Sequence, residues 1–121
     1  MKFFMMYTPD EEQAKKPPSP EMMAEMGKLV EAETKAGVLL ATGGLLPVSM
    51  GGARVRCSGG ELTVIDGPFA ETKEQIAGWA IVQVGSREEA IEASRRFFKV
   101  AGDGTGEIRQ IMDPGEGPHS C

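Results

Sequence analysis

Residues 76–84 read Ile-Ala-Gly-Trp-Ala-Ile-Val-Gln-Val, nine positions with one polar side chain among them. The run is too short for a membrane span and rich in the residue types that favour strands. It also lacks the polar–apolar alternation of a strand with one wet face, so both of its faces want cover. Only two other stretches of the 121 residues carry long helical periodicity. Two helices can roof one face of a sheet. The simplest cover for the second face is another copy of the chain.

The rest of the chain supplies the elements around that strand. Residues 2–8 form a short apolar run stopped by Thr8-Pro9-Asp10, and read as a first strand. Residues 9–20 hold four prolines and several charges, and read as a loop. Ser19 can then cap a helix with Pro20 at its first position. Met22, Met23, Met26, Leu29 and Val30 recur at helical spacing as one apolar stripe, read as core packing, and Gly37 is the natural stop. Val38 to Ala41 give a short strand before Gly43-Gly44. Residues 53–57 and 61–65, joined through Ser58-Gly59-Gly60, read as a hairpin with Arg54 and Arg56 on one face. Ser86 and Glu89 make a capping box for a second helix whose buried face is Ala90, Ile91, Ser94, Phe97 and Phe98. Residues 107–112 close the order as a last strand.

With the hairpin set aside the order is βαββαβ, the split βαβ arrangement of ferredoxin-like α+β folds. One domain over residues 1–112 and a C-terminal tail over 113–121 are expected.

Bulk properties narrow the function classes. The net charge of −5 argues against a general binder of nucleic-acid backbone, which would show a basic patch. The N-terminal apolar run is too short for a signal peptide, and no stretch reaches membrane-span length. A cytoplasmic protein with no membrane partner is expected. Two cysteines, Cys57 and Cys121, read as reduced thiols, and the single histidine, His119, lies in the Gly/Pro tail, so neither a metal nor another cofactor is expected.

Among candidate site residues, Asp66 stands first. It follows a strand and precedes Gly67-Pro68, a strand end where ligand groups gather, although a turn aspartate commonly serves only to cap backbone N–H groups. Tyr7, Phe69 and Trp79 can line a pocket, although aromatics in a chain with so few more often serve the core or a dimer interface. Arg54 and Arg56, with Arg109 on the last strand, have the chemistry of an anion site, and also of pairing with local acids such as Glu61 or Glu107.

The stretch Val64 to Trp79 contains Asp66-Gly67-Pro68-Phe69, followed by Glu71, Lys73 and Glu74. With Gly43-Gly44-Leu45, Ala53-Arg54-Val55-Arg56 and Glu107-Ile108-Arg109 in order around it, the chain resembles the DGPF domain of the YCII-related family. The resemblance implies ferredoxin-like subunits pairing sheet to sheet into a dimeric α/β barrel, in bacterial cytoplasmic company, with association to sigma factors in some relatives. It brings Glu71 and Lys73 into the candidate site, since the motif includes them. Some members of the wider superfamily carry a histidine on the first helix with an aspartate as an acid–base pair. Met26 occupies the best-matching position here, so that mechanism is not carried over.

Three classes of function compete at this stage. The first is a binding module that takes a small polar or aromatic metabolite near the motif, with a transcription-linked role. The second is a small enzyme using Asp66 as general acid or base without metal or histidine. The third is a purely structural or interaction protein.

Overall fold

The computed structural model describes residues 1–16, 18–47, 50–66 and 76–112, and for Asp66 the backbone alone. Six strands and three helices follow in the order β1 (Lys2–Pro9), α1 (Glu11–Ala14), α2 (Pro20–Lys35), β2 (Leu39–Gly44), β3 (Ala53–Ser58), β4 (Glu61–Asp66), β5 (Gly78–Gln83), α3 (Arg87–Ala101) and β6 (Gly104–Gln110). Four strands make one antiparallel sheet in the order β2-β5-β1-β6, and β3 and β4 pair with each other as a separate two-stranded sheet. This is the ferredoxin-like α+β arrangement with an added hairpin. The apolar run at 76–84 does place β5 inside the sheet, between β2 and β1.

Both long helices begin where a serine lets them. Ser19 Oγ accepts the Met22 N–H at 3.0 Å, and Ser86 Oγ accepts the Glu89 N–H at 3.2 Å. Glu89 reaches back one residue further than a regular capping box and takes the Gly85 N–H at 2.7 Å. The segment read as a loop holds a helical turn, α1. Asp10 precedes it without lending its side chain as a cap. Gln13 Nε2 donates to the Ala101 carbonyl at 3.0 Å, so α1 satisfies one of the orphan acceptors at the end of α3.

Both helices lie on the face of the sheet that carries Phe3, Met5 and Tyr7. Phe3, Val82 and Ala90 form the centre of the core, with Met5, Val38, Leu39, Val84 and Ile108 packed around them. Tyr7 meets Phe97 and Phe98 of α3 edge-to-face, with centroids 5.0 and 5.6 Å away. The two helices differ in depth. α3 buries Ala90, Ala93 and Ala101, whereas α2 buries no residue completely. Met23 departs from the expected stripe and stands 63% exposed.

The opposite face presents Phe4, Met6, Trp79 and Ile81, all half-buried, and neither long helix packs on it. Trp79 stacks on Phe4 at 6.1 Å with rings nearly parallel. Its indole also lies so close to Gly43 that a Cβ there would fall 2.9 Å from Nε1, a position open only to glycine without rearrangement.

The β3–β4 hairpin turns through Gly59 and Gly60, both at positive φ as a two-residue connection requires. Its register sets Val55 opposite Val64 and Cys57 opposite Leu62 on one face. Val55, Val64 and Leu62 are 57%, 55% and 66% exposed. Cys57 is disulfide-bonded, which corrects the reading of two reduced thiols; its partner lies outside the described residues. Among the described residues, no helix is long and apolar enough to cross a membrane.

Candidate functional site

The half-buried stripe of α2 stands off the sheet and leaves a cavity of about 590 Å³ between the two layers. Met22, Met26, Leu29, Val30 and Glu33 recur at helical spacing and form its roof. The floor is Met5 and Tyr7 of β1 with Ala80 and Val82 of β5, and Ala93, Phe97 and Phe98 of α3 close one side. The residues read as a packed methionine core are thus the wall of a ligand-sized space.

The polar groups around this space are few, and most already have partners. Tyr7 Oη donates to the Asp103 carbonyl at 3.4 Å. Burial, then the charges of Asp10 and Asp103, push its phenol above the usual range, so at neutral pH it is a donor and never a base. Thr42 Oγ1 donates to the Trp79 carbonyl at 2.9 Å, and the Gln13 amide is held by Ala101. Glu33 binds Arg96 of α3 through both oxygens: Arg96 Nη2 is 3.2 Å from Oε2, and Nε donates to Oε1. That bidentate contact raises the Arg96 pKa still further above its ordinary value. Lys16, Ser94 and Glu107 are also among the lining residues.

Of the residues singled out from sequence, Tyr7 and Trp79 border this cavity. They do so from opposite sides of the sheet. Tyr7 pairs with Gly78 and points to the helices, while the Trp79 ring lies on the other face over Gly43. Arg54 sits on the separate hairpin, where it shares a face with Arg56, and Arg109 belongs to the four-stranded sheet. Asp66 ends β4 with its backbone opposite Ala53. The Asp66 side chain, Phe69, Glu71 and Lys73 lie outside the described residues.

Sequence reasoning missed Gln13, Lys16 and Glu33 as cavity residues. The first two fell in the segment read as a loop. Glu33 was legible only as a position three beyond Val30, on the edge of the apolar stripe.

A second, more polar cleft of about 470 Å³ runs along β1 and β6, with Thr8, Asp10, Glu11 and Glu107 among its walls. Among the described residues no group of three or more His, Cys, Asp or Glu side chains is arranged to hold a metal ion.

Two comparisons bear on identity. A protein of Rhizobium meliloti (strain 1021), described only as uncharacterised, is 34% identical over 100 residues, a match covering 80% of each chain. The model of the YCII-related domain matches residues 1–114. With its ferredoxin-like sheet and a match over almost its whole length, this chain belongs to the YCII-related family.

Proposed function

We propose that the protein binds a small, largely apolar or aromatic metabolite in the cavity between α2 and the sheet. The observation that carries this reading is the cavity itself, about 590 Å³ walled by methionine, aliphatic and aromatic side chains. That volume is within the range of pockets that enclose metabolite-sized ligands, and flexible methionines suit a wall that adapts to its guest. The reading is of binding and not turnover, because the hydroxyls of Tyr7 and Thr42, the Gln13 amide and the Glu33 carboxylate are already engaged in holding the fold. A regulatory use through a sigma-factor partner rests on family resemblance alone. Catalysis by Asp66 rests only on its position at the end of β4.

The test uses N-phenyl-1-naphthylamine, an uncharged dye that brightens in apolar surroundings. The expected result is saturable binding at one site per chain, weakened about tenfold or more by Met26→Trp, which fills the space from its roof without changing charge. Equal binding to the wild type and to a folded Met26→Trp variant would overturn the reading.

A homodimer accompanies this proposal. Its support is the half-buried apolar face of Phe4, Met6, Trp79 and Ile81, on which neither long helix packs.

A further inference from the structure

The cavity's charges say more about its guest than its apolar walls do. Two acidic residues border it, and neither faces it unengaged. Glu33 is held by Arg96 through both oxygens. Glu107 pairs with Met6 in the β1–β6 register, so it belongs to the face away from Tyr7, and it also lines the second cleft with Asp10 and Glu11. The remaining charge at the rim is Lys16, which among the described residues has no carboxylate within ion-pair distance. Neighbouring Lys15 is taken by Glu12, at 3.9 Å.

Pro18 and Met22 also line the cavity, placing its edge beside the start of the 16-residue helix α2, where Ser19 Oγ already caps the Met22 N–H. The acidic residue of that first turn, Glu21, is exposed and is not part of the wall. A largely apolar pocket with a lysine ammonium at its edge matches an amphiphile with a single negative head.

Resting on the cavity reading above, we infer that the ligand is a monocarboxylate with an apolar chain or aromatic body, its carboxylate paired with the Lys16 ammonium at the rim. The body occupies the space beneath Met22, Met26 and Leu29. The head stays at the edge, where it keeps part of its hydration.

Decanoate and 1-decanol separate the charge from the body, since they share a chain and differ at the head. Each is titrated against the intact protein carrying N-phenyl-1-naphthylamine, at low salt and neutral pH. Decanoate is expected to displace the dye about fivefold more effectively, the scale of one solvent-facing ion pair. The preference should fade as salt is added. It should vanish in Lys16→Gln and survive in Lys35→Gln, which removes an exposed lysine from the far end of α2. Equal displacement by the two ligands in the wild type would overturn the carboxylate assignment while leaving the cavity reading standing. A preference that persists in Lys16→Gln would overturn the role of Lys16. A dye that binds saturably and is displaced by neither ligand would overturn the inference, and a dye that does not bind would overturn the cavity reading with it.

Discussion

Tyr7 shows how one side chain can be set by both of its ends. Its ring is clamped edge-to-face by Phe97 and Phe98, and its hydroxyl reaches the Asp103 carbonyl. Burial first, and the charges of Asp10 and Asp103 second, disfavour the phenolate and raise the pKa above its ordinary value of 10.0. A group whose pKa is raised on folding binds its proton more tightly when native. Its contribution is therefore complete below about pH 10, where the unfolded phenol is also protonated, and is lost as pH climbs through the folded value. Denaturant unfolding of wild type and Tyr7→Phe should show a steeper alkaline loss of stability in the wild type. Parallel curves across that window would contradict the account. Tyr7 was readable as an aromatic of the first strand, for pocket or core alike, and its place on the helix side follows from the β1 register. Trp79 was less so, because a strand apolar on both faces gives no parity from which to read which way its ring turns.

At the scale of elements, α2 and α3 are unlike partners. α3 sends three alanines into the core, and α2 sends none. What fastens α2 is its apolar stripe and the Glu33–Arg96 pair, in which the Glu33 side chain is only 15% exposed. Arg96→Ala leaves that carboxylate half-desolvated without its partner, and should cost about 1–3 kcal/mol in chemical denaturation. It should also speed hydrogen exchange in α2 more than in α3, since the pair joins α2 to a helix that is otherwise anchored. Equal acceleration in both helices would argue against a separate fastening. Replacing both residues, Arg96→Leu with Glu33→Leu, should recover much of the loss. Caps and strands were the legible part of these elements. Ser19 and Ser86 announced their helices, and Gly59-Gly60 announced the hairpin. The gap beneath α2 was not legible, because the stripe Met22, Met26, Leu29 and Val30 has the same spacing whether it meets the sheet tightly or stands off it. The turn of α1 escaped for a related reason: four residues are too few to show a period.

On the scale of the whole molecule, two apolar surfaces lack cover within the described residues: the outer sheet face and the Val55, Leu62, Val64 side of the hairpin. An isolated two-stranded hairpin is marginal in water, and an apolar sheet face invites association. Light scattering at micromolar concentration should therefore give about twice the 12.9 kDa chain mass. Met6→Lys, which sets a charge in the middle of the outer face, should shift the population toward the monomer while leaving helical circular dichroism intact. A monomer at every concentration would sink the dimer. This surface was foreseeable from residues 76–84, since two helices roof one face only. The hairpin's exposed apolar side was not. Its alternation is that of any half-buried ribbon, and the sequence does not say what it packs against.

The placement of the two aromatic rings equips the molecule with its own optical labels. The chain has one tyrosine and one tryptophan, and the sheet holds them on opposite faces. Tryptophan emission will respond to whatever settles on the outer face, through the indole resting on Gly43 and Phe4. Tyrosine absorbance will respond to the helix side, where the phenol stands between sheet and α3. Association on the outer face is then expected to move tryptophan emission, and ligand uptake to move tyrosine absorbance together with the emission of Trp79, which also borders the cavity.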